Sequence, residues 1–225
     1  MSDIAFEKIQ IFAPTVWKCK VPAESYNKSE LLNCIESNYD LDSTRNQWGD
    51  GHNNWHHYYG DWSNEKFKQL NLDELKVQYQ KIVENFISNL ELNSNVDYSW
   101  KIVNVSANKT FQKMDAHDHL DIDFDTGIYT NYAAVHYLNF KKEHTGTNFY
   151  NPLTIALHAK TLDHTDFYVD NLNNSEYFYQ LSLHTEEDDV IIFPSYMKHS
   201  VGVIKETENL RVTIAFNIGI KKHNE

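Results

Sequence analysis

Two histidines and a carboxylate stand out in this chain as candidate ligands of a divalent metal ion. His119 and Asp121 are two residues apart, and His199 lies nearer the C-terminus. Residues two apart on a strand point to the same face, so His119 and Asp121 can reach one point. Two imidazoles and one carboxylate that leave coordination positions open are a ligand set typical of non-haem Fe(II). The sequence therefore predicts a metal site at His119, Asp121 and His199.

The first ligand segment also contains a competing histidine. His117 is two residues from His119, so a His-x-His pair is an alternative to His119 with Asp121. A carboxylate lowers the net charge of the site and suits Fe(II) better than a third imidazole. We therefore favour His119 and Asp121 as ligands. His117 would then either contact the ligands without binding the metal or face solvent. The alternative that uses His117 stays open.

The segment around His199 leads to an arginine that an anion would suit. The apolar run Val190–Phe193 followed by Pro194 predicts a buried strand that stops at a turn before His199. Arg211 and Thr213 then alternate with apolar residues, as in a strand with one buried face. A buried arginine needs a compensating charge, and guanidinium matches a carboxylate. We predict an anionic ligand there, with a structural Arg–Asp pair as the alternative.

The elements that must position these residues are strands preceded by helices. The pattern predicts one or two strands over Ile4–Val21, a helix around Leu31–Ile35 with Asn27 or Ser29 as its N-cap, and a long loop over residues 40–64. A second helix is predicted from the capping-box spacing of its first residues and from its apolar stripe. The capping-box residues are Asn71 and Glu74, and the stripe is Leu72, Leu75, Tyr79, Ile82, Phe86 and Leu90.

From Tyr98 onward the period changes from helical to strand-like. Short strands at roughly ten-residue spacing are typical of a sandwich or barrel. We expect one domain over residues 1–225, with a helical support region at about 23–95 and a β core at about 98–220. The predicted strands that follow Tyr98 are Phe111–Asp123, Ala133–Phe140, Gly146–Phe149, Thr154–His158, Tyr177–Leu183, Asp189–Phe193, His199–Ile204 and Arg211–Gly219.

Composition excludes several classes of protein. The net charge of −12 argues against a nucleic-acid partner, because phosphate binding needs a basic surface. An aromatic content of 14% is too high for a disordered chain. The sequence has no apolar run of membrane-spanning length, no signal pattern and only two cysteines, so we expect a cytoplasmic protein. The oligomeric state stays open, with a homodimer as one option.

The order of these motifs resembles that of the 2-oxoglutarate/Fe(II)-dependent dioxygenases, over about residues 100–220. The motifs are His-x-Asp at 119–121, Val-His-Tyr-Leu-Asn at 135–139, Phe-Pro-Ser-x-x-x-His at 193–199 and Arg-Val-Thr-Ile-Ala-Phe-Asn at 211–217. The bacterial and phage branch is the most similar, with prolyl-hydroxylase-like enzymes as distant relatives. One departure is the insertion Asp121–Tyr132 after the first ligand segment, and another is the slightly long spacing from His199 to Arg211.

The resemblance implies an α+β, mainly β fold with a double-stranded β-helix (jelly-roll or cupin-like) core and N-terminal helices packed on one sheet. It implies that His119, Asp121 and His199 bind Fe(II), and that Arg211, Tyr137 and Thr213 bind 2-oxoglutarate. The implied reaction uses O2, hydroxylates a peptide or protein side chain or a small metabolite, and releases succinate and CO2. A carboxylate ligand argues against halogenation.

Two further points concern substrate and rival functions. The aromatic loop between Gln47 and Trp62 supplies candidate substrate contacts, which are Trp55, Tyr58, Tyr59 and Trp62, although a loop held together by its own aromatic residues is equally expected. One rival function is a catalytically inactive jelly-roll domain that binds a metal and a partner. The other is a cupin-like enzyme that uses its metal as a Lewis acid and does not need Arg211.

Overall fold

The structure is a computed structural model that describes residues 7–10, 14–39, 54–58, 70–90, 92, 96–108, 114–119, 122–123, 127–151, 180–202 and 208–222. Helical elements within these residues are a 3-10 turn at Ala23–Ser25 and two α-helices, α1 (Lys28–Tyr39) and α2 (Asp73–Ser88). The strands are β1 (Glu7–Gln10), β2 (Thr15–Lys20), β3 (Asn54–Tyr58), β4 (Val96–Asn108), β5 (Met114–His117), β6 (Ile122–Asp123), β7 (Ile128–Asn139), β8 (Thr147–Tyr150), β9 (Gln180–Ser182), β10 (Asp189–Pro194), β11 (His199–Val201) and β12 (Arg211–Lys222).

The described strands form two antiparallel sheets. The large sheet has the order β1-β2-β10-β7-β12-β4-β3, and β6 pairs with β7 beside it. The small sheet has the order β5-β11-β8-β9. From β4 onward the chain passes back and forth between the sheets, since β4, β7, β10 and β12 are in the large one while β5, β8, β9 and β11 are in the small one.

The helices cover one face of the large sheet. Alternate apolar residues of β12, among them Val212, Ile214 and Phe216, belong to a core cluster that they share with α1 and α2. Tyr79 of α2 stacks on Phe216 with ring centroids 4.6 Å apart. Each large apolar side chain buried in this way contributes about 1.5–3 kcal/mol. The prediction of helices packed on one sheet is therefore confirmed, and no described helix is both long and apolar enough to cross a membrane.

The opposite face of the large sheet is directed at the small sheet. Its apolar cluster includes Tyr137 of β7, Phe193 of β10 and Phe149 of β8. The rings of Phe149 and Phe193 meet edge to face at 4.9 Å, which ties the two sheets together. Because side chains alternate along a strand, the residues of β7 and β12 that lie between those packed on the helices point to this interior. In β4 a register shift opposite Ala215 and Phe216 interrupts the alternation, and Asn104, which pairs with Ala215, is on the inner face.

Several predicted boundaries agree with the structure. Strands β1 and β2 lie within Ile4–Val21, and the Glu30 amide donates to Asn27 Oδ1, as expected if Asn27 is the N-cap of α1. The apolar stripe predicted for the second helix is buried, with Leu72, Leu75, Tyr79, Ile82 and Phe86 each at most 1% exposed and Leu90 partly buried against the same cluster.

Three other predictions need correction. Residues 40–64 are not one loop, because β3 lies within them and adds to the edge of the sheet through β4. The capping box is wrong, because the Glu74 carboxylate accepts from the Asn27 amide and Asn71 accepts from the Asp73 amide. The strand predicted at Phe111–Asp123 is two short strands, β5 and β6, and Thr154–His158 lies outside the described residues.

Candidate metal centre and anion pocket

Three histidines converge at one end of the small sheet. His117, His119 and His199 each offer a ring nitrogen, and these atoms lie within 4.8 Å of one another. The Nε2 atoms of His119 and His199 are 3.2 Å apart. Two nitrogens bound side by side to one metal at about 2.1 Å are separated by roughly 3 Å. The His119–His199 pair therefore already has the spacing of two ligands of a single ion.

Hydrogen bonding fixes the orientation of His199. Its Nδ1 lies 3.0 Å from the carbonyl oxygen of Met197 and donates its hydrogen to that acceptor, which leaves the Nε2 lone pair directed at His119. Metal-binding histidines are commonly oriented by such a bond from the other ring nitrogen. Burial, reinforced by His117 and His119, lowers the pKa of His199 to about 3. The imidazole is thus neutral at physiological pH and can bind a cation.

A tight turn after β10 holds both histidine segments. The Met197 amide donates to Pro194 O, and the Ser195 carbonyl accepts from the His119 amide at 2.9 Å. The Ser195 hydroxyl donates to Thr130 O at 2.8 Å. The Phe-Pro-Ser segment therefore connects the two histidine segments to β7 rather than only ending a strand. Sequence reasoning assigned Pro194 and Ser195 no such role.

The structure describes two of the three predicted metal ligands, His119 and His199. His199 begins β11 and pairs across the sheet with His117, the last residue of β5, while His119 lies beyond the end of that strand. His119 is therefore not on a strand, contrary to the prediction that it shares a strand face with Asp121. Asp121 lies outside the described residues. His117 is half-buried among the other two histidines rather than facing solvent.

Arg211 is buried on the inner face of β12. It is 2% exposed, its Nε donates to Thr145 O at 3.0 Å, and one Nη lies 3.5 Å from the Thr213 hydroxyl. No carboxylate of the described residues forms an ion pair with it. Burial lowers the pKa of Arg211 to about 10, so the group stays charged at neutral pH. A buried cation that has no counter-ion among the described residues favours an anionic ligand over the predicted alternative of an Arg–Asp pair.

Tyr137 lies beside Arg211, and we call Arg211, Thr213 and Tyr137 the candidate anion pocket. The Arg211 guanidinium lies 5.9 Å from the centroid of the Tyr137 ring. The Tyr137 hydroxyl is 2.7 Å from the Thr147 hydroxyl and accepts from the Thr147 amide at 3.2 Å. Arg211, Thr213 and Tyr137 are therefore brought together as the sequence predicted. Thr145 and Thr147, which belong to the segment His-Thr-Gly-Thr at 144–147, were not predicted to lie beside these residues.

Two of the four predicted substrate contacts lie on a described strand. Trp55 and Tyr58 are on β3, whose backbone pairs with β4 from Asn104 to Asn108. Strand β3 therefore borders the strand next to Arg211 in the large sheet. Tyr59 and Trp62 lie outside the described residues.

Comparison with known proteins gives one family and a set of structural likenesses. The family model of 2OG-Fe(II) oxygenases matches residues 99–217, a range that includes the three clustered histidines and Arg211. A viral collagen prolyl hydroxylase from Paramecium Bursaria Chlorella virus-1, solved with 2OG, is 14% identical with a TM-score of 0.50, covering 95% of this chain and 94% of that one. None of the curated proteins compared with the chain matches it.

A second solved structure is similar over most of the chain. The non-heme alpha-ketoglutarate-dependent epimerase of nogalamycin biosynthesis is 10% identical with a TM-score of 0.51, covering 89% of this chain and 76% of that one. At such low identities, both structural likenesses show the fold alone.

Proposed function

Because the chain belongs to the family of 2OG-Fe(II) oxygenases, and is therefore an enzyme that uses Fe(II), 2-oxoglutarate and O2, we propose specific residues for its cofactor sites. His119 and His199 bind the iron. Their converging Nε2 atoms, 3.2 Å apart with His199 held neutral, are the observation that carries this proposal. Bound iron supplies the redox chemistry that activates O2, and the protein contributes the positions of the ligands and of the cosubstrate.

The third iron ligand comes from the same segment, and two residues compete for it. Asp121 is the residue we propose, because a carboxylate reduces the charge of the site and suits Fe(II). His117 is the second candidate, because its ring nitrogen lies within 4.8 Å of those of His119 and His199. A site with Asp121 carries one positive charge less than a site made of three histidines.

We propose that Arg211 binds the distal carboxylate of 2-oxoglutarate, with Tyr137 and Thr213 beside it. Support comes from the burial of Arg211 without a carboxylate partner among the described residues and from its closeness to both hydroxyl-bearing side chains. The Nε–Thr145 O bond fixes the guanidinium plane, which leaves its remaining N–H groups for a bidentate contact.

The core that carries these sites is, we propose, a double-stranded β-helix. The strand orders β4-β12-β7-β10 and β5-β11-β8-β9, with the chain passing between the sheets, support this assignment. In such a core the strand ends near His199 form the mouth that a substrate enters. The proposed reaction is hydroxylation of a peptide or protein side chain, or of a small metabolite, with release of succinate and CO2.

An anaerobic titration tests the cofactor assignments. Adding Fe(II) and then 2-oxoglutarate to the protein should produce the weak visible charge-transfer band of the iron–oxoacid chelate. Admission of O2 should then give succinate. Folded protein that gives no band would contradict the proposal, whereas a band without any succinate would favour the rival reading as a binding domain. Succinate formation that persists in Arg211→Ala would contradict the role of Arg211.

A further inference from the structure

A row of carboxamides lines the inner face of β4 and β12. Asn108 and Asn217 are 1% and 5% exposed, and each has a buried side-chain oxygen that accepts no hydrogen bond from the described residues. Asn104 is half-buried, and its buried Oδ1 likewise has no hydrogen-bond partner in the described part of the chain. We call Asn104, Asn108 and Asn217 the carboxamide floor. Their positions alternate with the residues that pack on the helices, so they point toward the small sheet.

Without a ligand, the unpaired oxygens of the carboxamide floor lower the stability of the folded protein. A buried acceptor without a partner costs about 1–3 kcal/mol of stability, whereas an apolar side chain at the same position carries no such penalty. The opposite face of the same strands carries apolar residues instead, such as Val105 and Ile218, which pack on the helices. A ligand that enters the space between the sheets is the natural partner for these oxygens.

Register places the floor between the two proposed sites. Asn108 pairs with Arg211, and Asn104 pairs with Ala215. Asn217 pairs with Ala133, which in turn pairs with Phe193, the residue whose ring lies 4.8 Å from that of His199. The floor therefore extends from the anion pocket toward the metal, with the small Ala133 and Ala215 side chains beside it.

The unpaired oxygens require a hydrogen-bond donor. 2-Oxoglutarate is a dianion at neutral pH with no N–H or O–H group, so it leaves them unpaired. The second ligand of the enzyme, its substrate, must then supply the donors. An apolar substrate or one that presents only carboxylates would keep the penalty in the complex.

We propose that the carboxamide floor is the substrate-binding surface, and that it selects a substrate carrying amide or amine N–H donors near the C–H bond that reacts. This inference rests on the proposed function. It narrows the substrate class to donor-bearing nitrogen compounds, such as a peptide segment, and assigns Asn217 and Asn104 as specificity-determining residues. Asn217 contacts the end of the substrate nearest the metal.

A matched pair of small probes tests this selection. Protein loaded with Zn(II) and saturated with 2-oxoglutarate, which occupies the anion pocket, is titrated with acetamide and separately with acetate, and the side-chain amide resonances of Asn104 and Asn217 are followed by NMR. Acetamide has N–H donors, whereas acetate has the same shape with acceptors only. We expect acetamide to bind at least about fivefold more tightly than acetate, which follows from one hydrogen bond to an otherwise unpaired group. Equal binding of the two probes, or no binding of either, would overturn the proposal.

A stability measurement tests the inference independently of the probe titration. Asn217→Leu should raise the melting temperature of the ligand-free protein by about 2–4 °C, because it removes a buried unpaired acceptor. It should also abolish the preference for acetamide while leaving the iron–oxoacid band unchanged. Asn148→Leu is the control, since the buried Asn148 amide already accepts from Ser182, and we expect it to lower the melting temperature.

The outcomes of these experiments distinguish a failure of this inference from a failure of the proposed function on which it rests. A melting temperature that falls in both variants would mean that Asn217 serves folding, and would overturn the inference. Loss of the iron–oxoacid band in the wild-type protein would refute the cofactor assignments instead. A normal band together with no preference between the probes would leave the enzyme assignment intact and refute only the carboxamide floor.

Discussion

The Nε2 atoms of His119 and His199 lie 3.2 Å apart although the residues are separated by 80 positions in the chain. Their rings are stacked at an interplanar angle of 18°, with centroids 5.0 Å apart. Two different hydrogen bonds to one turn set this distance, from the His119 amide to Ser195 O and from the His199 ring to Met197 O. The turn thus holds the two histidines at the spacing that the proposed metal site requires.

Removing either histidine of this pair should abolish iron binding. We expect His199→Ala and His119→Ala to retain less than about a tenth of the Fe(II) bound by the wild-type protein, since each loses a directly coordinated nitrogen. Iron content after anaerobic desalting measures this. His184→Ala, which removes an exposed histidine, is the control and should bind iron normally. Full iron occupancy in either of the first two variants would contradict the assignment.

The third ligand can be identified by comparing Asp121→Ala with His117→Ala. We expect Asp121→Ala to weaken Fe(II) binding at least tenfold and His117→Ala to weaken it less, because only the carboxylate offsets the charge of the ion. Affinities can be measured by anaerobic competition with a chromogenic chelator. The reverse ranking would assign the third position to His117 and make the centre a three-histidine site.

The arginine in the anion pocket should not be replaceable by lysine. Arg211→Lys keeps the charge but loses the planar fork and the Nε–Thr145 O bond, so 2-oxoglutarate should bind about 10–100-fold more weakly. The intensity of the iron–oxoacid band against 2-oxoglutarate concentration measures the change. Lys222→Ala, an exposed charge at the far end of β12, should leave it unaltered. Equal affinities of Arg211→Lys and the wild type would show that charge alone binds the cosubstrate.

Local sequence patterns were sufficient to predict the strands that carry Arg211 and Thr213 and that precede His199. The alternation that begins at Arg211 puts its side chain and that of Thr213 on one face, and the structure keeps this pattern because the other face packs on the helices. The apolar run before Pro194 likewise predicts β10 correctly. Each of these features depends on neighbours a few residues away, which a single sequence does show.

Contacts between distant segments explain what was missed. The place of His117 beside His199 follows from the pairing of β5 with β11, and no spacing within residues 117–121 reveals that register. Glu74 accepts from the Asn27 amide rather than capping its own helix, because α1 starts next to it in space. Strand β3 escaped prediction since it is defined by its pairing with β4 rather than by its own alternation.

The hydroxyl of Ser195 should stabilise both the fold and the metal site. Ser195→Ala removes the bond to Thr130 O, which we expect to lower the free energy of unfolding by about 1 kcal/mol and to weaken iron binding as the His119 segment loosens. Urea unfolding and the chelator competition measure the two effects. Lys198→Ala changes an exposed side chain close to the same turn and should affect neither. Unchanged stability of Ser195→Ala would show that the Thr130 contact does not hold the turn.

A buried histidine outside the metal site should make stability depend on pH. His136 is fully buried on β7, and its Nδ1 lies 2.7 Å from the Tyr79 hydroxyl. Burial lowers the pKa of His136 despite the nearby Asp188 carboxylate, so the folded protein keeps the ring neutral at a pH where the unfolded chain is protonated.

The sign of the effect follows from proton linkage. A histidine with a lowered pKa in the folded state contributes its full stabilisation above the unfolded value of about 6.5 and loses it as pH falls below that value. From pH 6.5 to 5.5 the loss can reach about 1 kcal/mol, because the unfolded ring goes from half to about nine-tenths protonated while the folded ring stays neutral.

The comparison variant is His136→Gln, which cannot titrate. Urea unfolding of both proteins at pH 7.5 and 5.5 cancels the contribution of the other histidines. We expect the stability advantage of the wild type over the variant to shrink at the lower pH. An advantage that stays constant or grows would mean that the folded protein accepts the proton, with Asp188 outweighing the effect of burial.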